Sequence, residues 1–332
     1  MTYQTSKWDL SDLFPAHDSP KMDKAFKELE DRVAEFEGLR EILDAKMDPE
    51  DFLDTVQKIE ENTHFAHRIE YYAGLWFAAE TQNQDAQTFV GKVDQFIAEL
   101  QNKTLFFSLW FKSLSDEEAQ RFIDVGLDYE YWLRQVRNFK PYTLTEAEEK
   151  VINIKNVTGI NAMRVLYDSI TTKLSYKVEV DGEVKEMTRG ELMTLVYRPE
   201  PEIRAAAYQE LYKVFGEQGP VLGQIYQTIV RDYANENIDL RKFKSPISYR
   251  NLVNDIPDEV VDVLLNVSQK NAPLVQRFFK LKANLIGVDK LRRYDIYAPV
   301  AEASKTYDFD YAVNLTFNAF EDFEPKIAKM AK

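Results

Sequence analysis

Apolar residues recur at helical spacing along most of this chain and alternate at strand spacing in one place. Met22, Phe26, Leu29, Val33 and Phe36 follow one another four and three residues apart, with Lys, Glu and Asp between them. They make one stripe on a helix, and Ser19 followed by Pro20 reads as its N-cap and first-turn proline. A second proline-led start at Pro49 carries Phe52, Val56 and Ile59, then Tyr71, Tyr72, Leu75 and Trp76 to about Glu80, with Asn83 at the turn. Phe89, Val93, Phe96, Ile97 and Leu100 share a face of the next helix, and Ser115 with Glu118 has the spacing of a capping box. This stretch predicts an antiparallel helical array.

Pro141 interrupts the pattern, and Thr145 with Glu148 repeats the capping-box spacing ahead of Val151, Ile152 and Ile154. The period then changes. Leu174, Tyr176, Val178 and Val180 alternate with polar residues, Asp181-Gly182 suits a type I′ turn, and Val184 and Met187 return, so a β-hairpin is expected at about 172–187. Thr188 through Glu191 caps a further helix, and Ile203, Ala206, Ala207, Leu211, Val214 and Phe215 mark a long one that ends at Gly216 or Gly219. More helix is expected from Pro220 to Leu240 and from Pro257 through Val260, Val263, Leu264 and Val267, with Pro273 starting another that ends near Gly287.

Toward the C-terminus, Asp308 caps a helix whose Tyr311, Ala312, Val313, Leu315, Phe317, Ala319 and Phe320 spread round the cylinder and therefore need partners on several sides. Pro325 opens an amphipathic helix with Ile327, Met330 and Ala331 that stops without a C-cap residue. This pattern leads to the expectation that the chain is part of a longer protein.

Composition supports the helical reading. Only 11 glycines and 12 prolines occur in 332 residues, too few breakers for a sandwich or barrel, and 45% apolar residues suffice for a substantial core. The formal charge of −14 argues against nucleic-acid or anionic-membrane partners. No apolar run reaches the roughly 18 residues of a membrane span, and MTYQTSKWDL has no signal-peptide pattern. Zero cysteines suit a reducing compartment, so a cytoplasmic location is expected.

Candidate chemistry is limited by an inventory of three histidines, His17, His64 and His67. Glu61, His64, His67 and Glu70 fall three apart on a predicted helix, and Glu61-x-x-His64 has the spacing used in di-iron bundles. A second Glu-x-x-His is missing, so both histidines read as ordinary hydrogen-bonding residues of a helix face. No His-Glu dipeptide occurs, which excludes a His-Glu-x-x-His zinc motif within these residues, and no glycine-rich phosphate cradle is present. The 56 acidic residues give many accidental carboxylate pairs, which read as a solvated surface. Aromatic runs such as Tyr129, Tyr131 and Trp132, and Tyr294 with Tyr297, read as packing.

An ordered set of short matches remains. Trp8-Asp-Leu-Ser-Asp-Leu-Phe14, Tyr72-Ala73-x-Leu75 followed by Asn83, Lys140-Pro141 with Leu144 and Glu149, Arg204-x-x-Ala207, Arg241 with Ser245, Leu285-Ile-Gly287 with Lys290-Leu291, and Tyr294-Asp-Ile-Tyr-Ala-Pro299 occur in this order. Together they resemble the oligoendopeptidase F family, bacterial relatives of thimet oligopeptidase, over essentially all 332 residues. Tyr142 departs from the pattern, standing where many members have histidine.

The resemblance implies the N-terminal part of a mainly α zinc metalloendopeptidase that hydrolyses short peptides in a deep cleft. It divides the chain into a helical lobe at 1–113, a helical segment with the β-hairpin at 114–190, and the start of an incomplete catalytic domain at 191–332. In the family zinc sits on two histidines of His-Glu-x-x-His and a later glutamate, and no position here matches them. Zinc is thus expected only for the full-length protein, with no cofactor, no catalytic residue and no metal ligand in this chain. Substrate-binding residues and oligomeric state stay open. The chain alone is expected to be inactive; the alternatives are a non-catalytic helical peptide-binding or scaffold protein and, last, a carboxylate-only hydrolase.

Overall fold

The structure is a computed structural model describing residue 3, residues 8–301 and residues 306–331, so most of the MTYQTSKWDL opening lies outside the described residues. Five helices form the first part of the chain: α1 (Pro20–Gly38), α2 (Pro49–Ala79), α3 (Gln84–Ser113), α4 (Asp116–Asp124) and α5 (Glu130–Asn138). Their starts are where the capping residues put them. The Ser19 side chain accepts from the Met22 N–H, Asn83 accepts from Asp85 and Ala86, and Ser115 closes a capping box with Glu118.

The stripes of α1, α2 and α3 meet in two cores. Met22, Leu29, Val33, Ile69, Tyr72, Val93 and Ile97 fill one, and Phe36, Phe52, Val56, Phe107, Phe111, Phe122 and Leu133 fill the other, where Phe52 stacks on Phe122 at 4.4 Å between ring centroids. Aromatic packing does not extend to every ring in the 129–132 run. Tyr129 packs against the second core, whereas Tyr131 and Trp132 stay exposed, Trp132 at the edge of an open groove shared with α2.

Next come α6 (Glu146–Asn156) and α7 (Ala162–Thr171), joined by a π-helical turn over Val157–Asn161. Strands β1 (Tyr176–Val180) and β2 (Glu183–Met187) pair antiparallel with Tyr176 opposite Met187 and Val180 opposite Glu183. Asp181 and Gly182 have φ of 56° and 83°, the left-handed pair that a type I′ turn requires. Tyr176, Val178 and Val180 point into a third core with Leu192, Leu195 and Ala207, while Val184 on β2 faces outward.

The remainder is α8 (Arg189–Thr194), α9 (Pro201–Glu217), α10 (Gly219–Tyr233), a π-helical turn over Ala234–Leu240, α11 (Pro246–Val253), α12 (Asp258–Leu285), α13 (Phe309–Phe323) and α14 (Pro325–Ala331). Pro273 does not open a helix. It lies inside the 28-residue α12, where its ring removes one backbone donor from the ladder. Both Pro273 and Gln269, whose carbonyl loses that donor, are exposed, so water can take the vacant place and the helix continues.

Among the described residues no helix is long and apolar enough to cross a membrane.

Candidate functional site

The fold does not gather the histidines. His17 stacks on Trp76 at 4.5 Å and meets Phe89 edge-on at 5.7 Å. His64 and His67 lie exposed along α2, with His67 Nε2 3.9 Å from Glu70 and its ring stacked on Tyr71. Both face an open groove of about 720 Å³ shared with Leu127, Tyr129 and Trp132. There the Tyr129 hydroxyl donates to Glu60 at 2.6 Å. Among the described residues no group of three or more His, Cys, Asp or Glu side chains converges so as to hold a metal ion.

What the fold does bring together are charged residues far apart in sequence. Arg241, on the turn after α10, donates Nη1 to Glu149 Oε1 at 2.8 Å and Nη2 to Oε2 at 2.7 Å. Its Nε reaches Glu236 at 2.9 Å, and Nη1 also reaches the Tyr142 carbonyl at 3.2 Å. Burial by itself would raise the Glu149 carboxyl; hydrogen bonds from Arg241 and from the Leu144 N–H reverse that and hold it below its ordinary value. Tyr142, the departure from the family pattern, stacks on Phe243 at 3.6 Å and so closes the same junction.

A second junction lies between α9 and the Tyr294-Asp-Ile-Tyr-Ala-Pro299 segment. Arg204 is 2% exposed and Asp295 fully buried, with Nη2 to Oδ1 at 2.8 Å. The remaining Arg204 donors reach the carbonyls of Tyr294, Arg198 and Pro199 at 3.1, 2.8 and 2.6 Å. Asp295 also accepts from Arg292 Nε at 2.7 Å and from the Arg292 N–H at 3.0 Å. Burial opposes its charge, but these donors hold the carboxyl at about 2. Tyr294 packs on Tyr208, and Tyr297 stands half exposed beside Tyr197.

The third feature is an open cleft of about 660 Å³ between the end of α3 and the 140–146 turn. Arg40, Leu43, Phe106, Leu109, Trp110, Lys112, Ser113, Lys140, Thr143, Leu144 and Glu146 line it. Its hydroxyls are engaged: Ser113 donates to the Trp110 carbonyl at 2.7 Å and Thr143 to the Phe139 carbonyl at 2.9 Å. Among the described residues neither hydroxyl is hydrogen-bonded to a histidine or carboxylate side chain that could activate it as a nucleophile.

Glu149, Arg204, Arg241 and Asp295 all belong to the ordered matches, but sequence reading took them singly. Partners 91 and 92 residues apart leave no periodic signal. Lys112 went unnoticed, since one lysine on a helix carries no motif.

Two family models match separate stretches of the chain, "Peptidase family M3" over residues 194–324 and "Oligopeptidase F" over residues 110–176. Oligopeptidase PepF of Bacillus subtilis is 25% identical over 325 residues, which is 95% of this chain and 46% of that protein. Group B oligopeptidase PepB of Streptococcus agalactiae is 24% identical over 251 residues, 74% of this chain and 42% of that protein. The chain thus spans about half the length of the curated relatives it matches. Its fold is similar to the crystal structure of oligoendopeptidase-F from Enterococcus faecium, with a TM-score of 0.74 at 20% identity over 93% of this chain and 59% of the other. With both family models matched in consecutive stretches and the relatives aligned along nearly its whole length, the chain belongs to the oligoendopeptidase F family of peptidases.

Proposed function

We propose that these 332 residues form the N-terminal portion of a zinc metalloendopeptidase that cleaves short peptides, supplying a wall of the substrate cleft and part of the catalytic domain but not the metal site. One observation carries the reading. Val260, Leu264, Val267, Leu274, Phe278, Leu281 and Leu285 repeat at four- and three-residue steps along α12, with Asn271 completing the series, and every one of them is exposed. Ala283 is the one buried residue described on this helix, and α13 has none. A 28-residue amphipathic helix is stable where its apolar seam is covered. Because the seam lies within the stretch matching the M3 peptidase model, the rest of such a domain is the covering this reading assigns to it.

Zinc belongs to the full-length protein in this reading. The described residues do not fit it, so no step of hydrolysis is assigned to them. Their part is to bind and exclude: helices α1 to α5 stand as a lobe that admits unfolded peptides and keeps out folded proteins. The cysteine-free composition suits the cytoplasm as the setting.

The test is metal content and turnover. The dialysed chain should retain no zinc and leave a quenched fluorogenic peptide uncut, whereas a longer chain that continues through the relatives' remaining half should retain zinc and cut the peptide. Stoichiometric zinc with chelator-sensitive cleavage by the 332 residues alone would overturn the reading. Peptide binding by a longer chain that never holds zinc would favour the scaffold alternative.

A further inference from the structure

Lys112 is a cleft-lining cation that feels the Glu149 carboxylate only from beyond ion-pair distance. It is half-buried at the end of α3, and among the described residues no hydrogen bond or ion pair reaches it. The carboxylates that could satisfy it are committed elsewhere. Both Glu149 oxygens are held by Arg241 and the Leu144 N–H, and Glu146 is held by Arg40 and Lys150. A half-buried ammonium without a hydrogen-bonded partner is unfavourable: desolvation pushes the Lys112 pKa down, outweighing the Glu149 charge, which raises it.

From this geometry we propose that the cleft around Lys112 captures the free α-carboxylate of a short peptide, with Leu109, Phe106 and Trp110 receiving its apolar C-terminal side chain. Charge favours an anion here. The lining holds three cations, Arg40, Lys112 and Lys140, against one anion, Glu146, within a chain of net charge −14. Carbonyls at the end of α3, which would repel an anion, are already capped: Arg137 donates to Phe111 and Leu114 at 2.9 and 3.1 Å, and Lys140 to Leu114 at 2.7 Å. One free ammonium matches a monoanion, and the apolar walls call for an apolar body, which inorganic phosphate lacks. A volume of about 660 Å³ holds a few residues of peptide.

The inference goes beyond the peptidase reading, because it requires binding and no turnover. Calorimetric titration of the 332-residue chain with N-acetyl-Leu-Phe and with its C-terminal amide separates the two. The acid should bind at least about tenfold more tightly than the amide, the difference made by one charge-assisted contact. Lys112→Met, which keeps the stem and removes the charge, should abolish that preference, and Lys112→Arg should recover part of it. Equal affinity for acid and amide, or a preference that survives in Lys112→Met, would overturn the proposal. So would phenylacetate binding as tightly as the dipeptide, since the cleft would then be a site for free organic acids. Should Lys112→Met fail to fold, the acid-against-amide comparison on the unaltered chain decides alone. Failure of this binding test would leave the zinc and turnover test untouched.

Discussion

Arg241 grips Glu149 by two parallel hydrogen bonds of 2.8 and 2.7 Å from 92 residues away, with side chains 15% and 10% exposed. This clamp fastens α6 to the turn after α10, joining the two stretches that match separate family models. Removing one partner leaves the other charge buried, so Arg241→Ala should cost about 3–5 kcal/mol of stability in urea unfolding. Replacing both residues with apolar ones of similar size should cost much less. A loss in Arg241→Ala near that of an exposed ion pair, below about 1 kcal/mol, would show that the junction is held by something else.

The second junction should be sensitive to acid. Asp295 has a folded pKa of about 2 against an ordinary aspartate value of 3.8, so the folded state binds its proton less readily than the unfolded state does. Its contribution is therefore complete above the unfolded value and lost as pH falls toward 2. Unfolding measured from pH 6 down to pH 2 should show a decline of about 2–3 kcal/mol from this group. In Asp295→Asn that part of the slope should vanish.

Lys112 titrates with the opposite charge but the same sign of slope. Its folded pKa lies below the ordinary 10.5, so the unfolded chain holds this proton more tightly. Stability should rise with pH across the alkaline range up to about 10.5 and then level off, as the folded state is relieved of a desolvated charge. Lys112→Met should be more stable than the parent at pH 7 by about 1 kcal/mol and should lack the alkaline rise. Thermal melts at pH 7 and pH 10 provide the check.

For α12 the prediction concerns association. An apolar seam of seven exposed residues is large enough to make the isolated chain bind a hydrophobic dye and self-associate. Leu264→Lys with Phe278→Glu should reduce light scattering and dye binding while changing the unfolding free energy by less than about 0.5 kcal/mol, because neither side chain is buried. A large loss of stability would mean that the seam already packs within this chain.

Much of the fold could be read directly from local pattern. Ser19, Asn83, Ser115, Thr145 and Thr188 start helices where their side-chain oxygens meet free N–H groups, and Asp181-Gly182 turns the hairpin because both residues accept positive φ. Pro273 misled because proline ends a helix only when nothing else satisfies the freed carbonyl, and solvent does so on an exposed face. The two π-helical turns, at 157–161 and 234–240, left no sequence mark, since one extra residue per turn does not alter which residue types are present. As for the candidate site, the ordered matches named Glu149, Arg204 and Arg241, but not their pairing.

By itself the sequence determined most of the helices, their caps, the hairpin and the absence of a His-Glu-x-x-His motif, because each depends on spacing within a few residues. Only the tertiary structure decided that Arg241 meets Glu149, that Arg204 meets Asp295, and that among the described residues Lys112 has no hydrogen-bond or ion-pair partner and the α12 seam is uncovered. Those outcomes depend on which charges share a junction and which faces have a neighbour, and side chains some 90 residues apart carry no local record of either.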